Sequence, residues 1–122
     1  MTRILVVDDD IGIREMLQKC LRRAGYDVSI APDGNAALKL HWASPADLLI
    51  TDIIMPDKDG IETIMEFQRH SPRVRIIAIS GGGKIEGNEY LSIAKMLGAE
   101  KTLPKPFELR EMLEAVRELL PI

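Results

Sequence analysis

Three consecutive aspartates, Asp8, Asp9 and Asp10, follow directly after an apolar run in the stretch LVVDDD. Adjacent carboxylates repel one another, so a chain that places them at a strand end must stabilise them with solvent, helix amides or a cation. Asp10 precedes a helix-like stretch and is expected to be its N-cap. Asp8 and Asp9 remain for an all-oxygen cation site of the kind that suits Mg²⁺.

Three further polar side chains stand where other apolar runs end. Asp52 follows residues 48–51, Ser80 closes residues 76–80, and Lys105 comes shortly after residues 101–103. A hydroxyl and an ammonium beside metal-binding carboxylates are complementary to a phosphoryl group, whose oxygens need metal, hydrogen-bond donors and positive charge. Each residue alone also fits a structural or solvated role, so the prediction of phosphoryl transfer depends on their occurring together.

The elements that must position these residues are predicted from the alternation of apolar runs with helix-like stretches. The predicted strands are residues 4–7, 27–31, 48–51, 76–80 and 101–103, and the helix-like stretches are residues 13–25, 33–43, 60–70, 89–99 and 108–120. We expect an α/β fold with a doubly wound, five-stranded parallel sheet, a flavodoxin-like (βα)5 sandwich of strand order 2-1-3-4-5. Ligands of such sheets bind outside the carboxyl ends of the strands, where the polar residues fall.

Composition narrows the class of protein. The 122 residues suffice for one domain, expected to span residues 1–122, and 46% hydrophobic residues exclude a disordered chain. A net charge of -3, with no basic cluster longer than Arg22 and Arg23, argues against nucleic-acid binding. The lone Cys20 offers no disulfide partner, and no apolar run reaches membrane-spanning length. These features predict a cytoplasmic protein that does not associate with membranes.

The order of these motifs resembles the receiver domain of two-component response regulators. The resemblance rests on the acidic pair after strand one, TDIIMPDKDG around strand three, Ser80 after strand four and KPF after strand five, and it covers essentially the whole chain. It implies that Asp52 is the phosphoacceptor and that Asp9 and Asp52 are direct Mg²⁺ ligands. It further implies that Asp8 is a ligand or a water-mediated neighbour, and that the backbone carbonyl of Ile54 completes the protein ligands.

The same resemblance assigns the remaining polar groups. Ser80 would bond a phosphoryl oxygen, Lys105 would pair with the carboxylate or the phosphoryl group, and the peptide bond between Lys105 and Pro106 would be cis. Two residues depart from the family pattern. Thr102 stands where receiver domains often carry a switching aromatic residue, and Pro104 lacks an amide donor, which suits an edge strand.

The predicted function is a signalling module rather than an enzyme. A sensor histidine kinase, a phosphotransfer protein or a small phosphodonor would phosphorylate Asp52 with Mg²⁺, and the change would switch binding of an unknown downstream protein. Self-catalysed dephosphorylation is expected to be slow, because Ile54 and Gly82 carry no polar side chain to orient water. Switching is expected through the glycine loop, residues 81–83. We expect a stand-alone receiver that is a monomer or weak dimer.

Two other classes of function remain open: an enzyme, for which two types of site are considered, and a scaffold. A Mg²⁺-dependent phosphatase of the haloacid-dehalogenase type would need an acid two residues beyond Asp52, where Ile54 stands. A topoisomerase-primase type site on Asp8 and Asp10 would need a further glutamate at a strand end and a basic surface. The remaining class is an unphosphorylated scaffold of the same fold.

Several other polar residues favour structural roles. His41 and His70 each stand near the C-terminal end of a predicted helix, where a cation is favourable, and are expected to be structural or solvated. Asp57 and Asp59 suit a turn. Cys20 is expected in the core. Trp42 is expected to pack at the edge of the second helix.

Overall fold

The computed structural model describes residues 2–53, 60–80 and 92–120. In chain order the elements are β1 (Arg3–Val7), α1 (Ile11–Arg23), β2 (Asp27–Ala31), α2 (Gly34–Ala43), β3 (Leu48–Asp52), α3 (Gly60–His70), β4 (Arg75–Ser80), α4 (helical residues 92–96), β5 (Lys101–Pro104) and α5 (Leu109–Leu119). All five predicted strands are confirmed, and their ends differ from the prediction by no more than one residue.

The five strands form one parallel sheet in the order β2-β1-β3-β4-β5, which confirms the predicted doubly wound fold. The register aligns the carboxyl ends of neighbouring strands: Val7 pairs with Thr51, Asp52 with Ile79, and Ser80 with Pro104. Pro104 lies on the edge strand, where its missing amide breaks no pairing on the outer side. Residues that follow these strand ends therefore meet at a single edge of the sheet.

Alternating strand residues face two separate cores, as expected for side chains of period two. Leu5, Leu49 and Ile76 pack with α2, α3 and α4 on one face. Ile4 and Leu48 belong to the other face, which packs with α1 and α5. Because both faces of the central strand are covered, β3 is buried along its whole length and reads as an apolar run up to its last residues.

The ends of α1 follow the signals in the sequence. Asp10 is the N-cap, and its carboxylate accepts hydrogen bonds from the amides of Gly12 and Ile13. Gly25 has a φ of 101°, a left-handed conformation that favours glycine, and its amide donates to the carbonyl of Arg22. The predicted cap and stop are both confirmed.

Candidate functional site

The carboxyl ends of β1 and β3 bring three carboxylates together. Asp8 follows β1 directly and Asp52 is the last residue of β3; Asp8 is 0% exposed and Asp52 3%, whereas Asp9 is exposed. One carboxylate oxygen of each of these three residues lies within 4.8 Å of the other two. Hard oxygen donors at this separation match the ligand preference of Mg²⁺. The donor set therefore fits the cation that the sequence predicts.

Lys105 reaches the acidic cluster from the end of β5. Its amide donates to the carbonyl of Ser80 at 2.7 Å, and the peptide bond to Pro106 is cis, as expected. The ammonium Nζ donates a hydrogen bond to Asp52 Oδ2 at 2.8 Å and makes an ionic contact with Asp8 Oδ2, also at 2.8 Å. One cation thus serves two buried carboxylates.

Burial and charge act in opposite directions at this cluster. Burial raises the pKa of the Asp8 carboxyl, against the lowering effects of the Lys105 ammonium and the Asp10 amide. Burial by itself lowers the pKa of Lys105, but hydrogen bonds and charge attraction from Asp52 and Asp8 outweigh it and raise the pKa. Lys105 is therefore a positively charged ammonium ion, which can pair with an anion at Asp52.

Ser80 closes β4 beside the end of β3. Its side-chain oxygen Oγ is buried and has no hydrogen-bond partner among the described residues. A buried hydroxyl without a partner costs free energy, and such groups in native proteins call for a physical explanation. A phosphoryl oxygen at Asp52 would supply the missing partner, since Asp52 pairs in register with Ile79, the residue before Ser80.

The start of α3 packs closely against the strand end that carries Asp52. The amide of Gly60 donates to the carbonyl of Ile53 at 3.2 Å. A Cβ atom at Gly60 would lie 2.1 Å from the backbone oxygen of Asp52, so any larger residue would displace one of the two segments. Gly60 therefore helps to fix the backbone of the candidate site.

A side chain of α1 contacts the acidic loop from behind. The Arg14 guanidinium donates through Nη1 to the backbone carbonyl of Asp8 at 2.7 Å. Nothing in the sequence pattern separates Arg14 from the other charged residues of α1, because its contact is with a backbone atom. The only sequence feature that could have suggested the contact is the position of Arg14 near the start of α1, six residues after Asp8.

A family model described as the response regulator receiver domain matches residues 4–117. The chain belongs to this family. Receiver domains are modules of two-component systems, and binding of Mg²⁺ at an acidic pocket is typical of them. In this chain Asp8, Asp9 and Asp52 form an acidic cluster at the corresponding edge of the sheet.

Curated relatives of this chain are named as regulators or regulatory proteins. The chain is 38% identical over 120 residues to the transcriptional regulatory protein CpxR of Klebsiella pneumoniae subsp. pneumoniae (strain HS11286), covering 98% of this chain and 50% of that protein. It is 36% identical over 121 residues to the DNA-binding transcriptional regulator NtrC of Bradyrhizobium sp. (strain RP501 Parasponia), covering 96% of this chain and 24% of that protein. The chain spans half or less of the length of these relatives.

Solved structures agree with the receiver fold. The chemotaxis protein CheY4 of Vibrio cholerae has a TM-score of 0.86 and 31% identity, covering 98% of this chain and 99% of that one. A putative response regulator from Chloroflexus aurantiacus J-10-fl has a TM-score of 0.88 and 32% identity, covering 99% and 98%. Three of these four relatives are named as regulators or regulatory proteins, and the fourth is named as a chemotaxis protein. Across the described ranges of the chain, no helix is long and apolar enough to span a bilayer.

Several predicted positions of the receiver domain lie outside the described residues. They are Ile54, the turn residues Asp57 and Asp59, and the glycine loop of residues 81–83. The predicted ligand role of Ile54, the water-positioning argument for Ile54 and Gly82, and the loop-based switch remain predictions. Thr102 is half-buried in β5, where it pairs with Ala78.

His41 has the structural role that the sequence predicts, but as a buried side chain rather than as a cation at the end of α2. It is 3% exposed; its Nδ1 accepts the amide of Ala46 at 3.0 Å, and its Nε2 lies 2.8 Å from Ser71 Oγ. Burial lowers the pKa of His41, so the ring is neutral and structural. His70, in contrast, is exposed.

The prediction that Cys20 lies in the core was wrong. Cys20 is only partly buried rather than a core residue, because the side of α1 that it occupies faces a shallow groove against α5. Trp42 is 63% exposed and contacts the edge of His70, with ring centroids 6.4 Å apart.

Proposed function

We propose that Asp52 accepts a phosphoryl group from the phosphohistidine of a sensor histidine kinase or phosphotransfer protein, or from a small phosphodonor, and that this modification switches partner binding. The observation that carries the proposal is the setting of Asp52 at the end of β3. Its carboxylate contacts the Lys105 ammonium at 2.8 Å and lies within 4.8 Å of the carboxylates of Asp8 and Asp9. Acceptor, cation ligands and counter-charge share one edge of the sheet.

The proposed transfer is a displacement at phosphorus. A carboxylate oxygen of Asp52 attacks the phosphorus atom while the bond between phosphorus and the donor nitrogen breaks. The electron pair of that bond stays on the imidazole of the donor, and the phosphoryl group becomes an acyl phosphate on Asp52. The chain contributes position and charge rather than a proton, because a carboxylate nucleophile needs no base.

Lys105 and Ser80 would act on the phosphoryl oxygens. Phosphorylation converts a charged oxygen of Asp52 into the bridging oxygen of a mixed anhydride, so the ammonium of Lys105 is freed to pair with the new negative charge. Ser80 Oγ is buried and has no partner among the residues that the structure describes, and it would donate a hydrogen bond to another phosphoryl oxygen. Both residues stabilise the product, and the movement of Ser80 toward it would start the switch.

Asp8, Asp9 and Asp52, together with the backbone carbonyl of Ile54, would hold Mg²⁺. The fit rests on three carboxylate oxygens within 4.8 Å, an all-oxygen donor set of the type that Mg²⁺ prefers. When bound, the cation neutralises negative charge on the transferring group. Asp8 is already held by Lys105 and the Asp10 amide, so exposed Asp9 is the ligand that meets the cation from the solvent side.

In this proposal residues 1–122 act as one receiver domain in the cytoplasm, without catalytic turnover beyond their own phosphorylation and slow dephosphorylation. Relatives named as transcriptional regulators suggest that the phosphorylated state controls a regulatory output. Affinity capture with the phosphorylated and unphosphorylated chain would identify the protein that distinguishes the two states.

Phosphorylation itself is tested by incubating the chain with Mg²⁺ and acetyl phosphate and measuring intact mass. We expect one phosphoryl adduct on the wild type and none on Asp52→Asn. Asp27→Asn is the matched control, because Asp27 is a strand aspartate whose ion pair with Arg3 lies at the opposite end of the sheet. An adduct that survives in Asp52→Asn would refute Asp52 as the acceptor. A folded wild type that takes up no phosphoryl group would favour the unphosphorylated scaffold.

A further inference from the structure

A closed ring of contacts joins the acidic loop to the first turns of α1. Asp8 Oδ1 accepts the amide of Asp10 at 2.9 Å, and the Asp10 carboxylate in turn caps α1. The amide of Arg14 donates to the carbonyl of Asp10 at 3.1 Å. The Arg14 guanidinium closes the ring by donating to the carbonyl of Asp8 at 2.7 Å. The links made by the Asp10 cap and by Arg14 involve residues of α1 and depend on the helix being formed.

Asp9 lies inside this ring but takes no direct part in it. Its side chain is exposed and makes no hydrogen bond or ion pair with the residues that the structure describes. The direction of that side chain is therefore set by its backbone. The peptide plane before Asp9 contains the Asp8 carbonyl, which Arg14 holds, and the peptide plane after it contains the Asp10 amide, which Asp8 holds.

We propose that Arg14 is a positioning residue for the cation site: by fixing the Asp8 carbonyl it orients Asp9 toward the metal. This inference rests on the proposed use of Asp8, Asp9 and Asp52 as Mg²⁺ ligands. Groups outside the ligand shell commonly act in this way, because a ligand that is already oriented loses less conformational freedom on binding. Arg14 reaches a backbone atom, so the orientation does not depend on a charged partner.

The sign of the effect separates positioning from simple electrostatics. Arg14 is a cation close to an acidic cluster, and a cation there repels Mg²⁺. If charge were its only contribution, its removal would tighten Mg²⁺ binding. If Arg14 orients Asp9, its removal weakens Mg²⁺ binding in spite of the relieved repulsion. The two roles thus predict opposite shifts of the dissociation constant.

The test is a Mg²⁺ titration, followed by calorimetry or NMR, of the wild type, Arg14→Met and Arg14→Lys. Methionine keeps the length and helix propensity of the side chain but has no donor, while lysine keeps one donor. The matched control is Arg22→Met, because Arg22 also lies on α1 and donates to a backbone carbonyl, that of Val28 at 3.2 Å. Asp9→Ala provides the loss of a direct ligand for comparison.

We expect the Mg²⁺ dissociation constant to rise about tenfold in Arg14→Met, as is usual when a group that supports a metal ligand is lost, and to recover partly in Arg14→Lys. Arg22→Met should bind Mg²⁺ like the wild type. Acetyl phosphate should label Arg14→Met more slowly than the wild type at limiting Mg²⁺, and the difference should shrink as the Mg²⁺ concentration rises, because the acceptor and Lys105 are intact.

Two results with the variants would overturn the inference. One is an unchanged or tighter Mg²⁺ affinity in Arg14→Met, and the other is an equal loss in Arg22→Met, which would point to general loosening of α1. A wild type that binds no Mg²⁺ would also overturn it. A wild type that binds Mg²⁺ through Asp9 but takes up no phosphoryl group would refute the proposed function alone, since the affinity comparison stands without phosphorylation.

Discussion

Both ends of the sheet bury polar side chains almost completely, but the two ends differ in whether those side chains have hydrogen-bond partners. At the carboxyl end, Asp8 and Ser80 are both 0% exposed, and Ser80 Oγ has no partner among the described residues. At the amino end, between α2 and β3, His41 is 3% exposed and both ring nitrogens have partners. Burial alone therefore does not mark a functional site.

Hydrogen-bond satisfaction distinguishes the two ends. The Nδ1 of His41 accepts an amide proton, so the ring proton of the neutral imidazole is on Nε2 and is donated to Ser71 Oγ. Both nitrogens of the imidazole therefore have hydrogen-bond partners, and the ring joins α2 to the end of α3. The carboxyl end instead holds a hydroxyl, that of Ser80, without a partner in residues 2–53, 60–80 and 92–120, and two carboxylates that share one ammonium. A buried polar group that lacks a hydrogen-bond partner is expected where a ligand supplies that partner.

The largest expected effect on stability is at the amino end. Replacing His41 with alanine removes its packing against Phe67, whose ring centroid lies 4.8 Å away, and leaves the buried amide of Ala46 without an acceptor. We expect His41→Ala to lower the free energy of unfolding by about 3 kcal/mol in urea denaturation. Phosphoryl uptake by the folded fraction should remain at the wild-type rate.

His70→Ala is the matched control for this substitution, because His70 ends α3 on the exposed surface. Its free energy of unfolding should stay within about 0.5 kcal/mol of the wild type. If His41→Ala lost phosphoryl uptake while still folded, the amino end would be coupled to the candidate site. The division between a structural end and a functional end of the sheet would then be incorrect.

The carboxyl end was predictable because its signals are local. Asp8, Asp52 and Ser80 each stand directly at the end of an apolar run, and parallel strands must bring such positions to one edge. The neutral state of His41 was not predictable, because the helix end that it occupies favours a cation while its burial depends on Ser71 and Phe67 from another helix. A residue type and its neighbours in sequence carry no information about such distant contacts.

Backbone contacts by long side chains are also hidden from sequence patterns. Arg14 and Arg22 are both arginines on α1 that donate to backbone carbonyls, yet one carbonyl belongs to Asp8 in the candidate site and the other to Val28 in β2. Only the path of the chain around the sheet separates them. Cys20 shows the same limit, since helical spacing predicted its face but not how completely α5 would cover it.

The stability of the amino end should depend on pH. Burial lowers the pKa of His41 from its ordinary 6.5, so the unfolded chain binds a proton more readily than the folded one. The resulting contribution is fully present above pH 6.5 and is lost as the pH falls below that value. Between pH 7.5 and 5.5 we therefore expect the free energy of unfolding to fall because of this group.

The contribution of His41 is isolated by comparing the wild type with His41→Gln, since other groups titrate equally in both. Urea denaturation at pH 7.5 and at pH 5.5 gives the change for each protein. The glutamine variant should be less stable at pH 7.5 but should lose less stability on acidification. Parallel losses in the two proteins would mean that His41 does not change its charge on unfolding in this range.

The smallest expected effects come from two serines, one at each end of the sheet. Ser71→Ala removes the acceptor of the His41 Nε2 proton and should lower the free energy of unfolding by about 1 kcal/mol. Ser80→Ala removes a hydroxyl that has no partner in the part of the chain that the structure describes, so the free energy of unfolding of the unphosphorylated protein should change by less than about 0.5 kcal/mol. Phosphorylation should reverse this order. In Mg²⁺ and acetyl phosphate the wild type gains a hydrogen bond from Ser80 that Ser80→Ala cannot form. Ser71→Ala should gain as much stability as the wild type. Urea denaturation of all three proteins in both states measures this. An equal loss from both serines without phosphodonor would show that Ser80 already has a partner, and the contrast between the two ends would disappear.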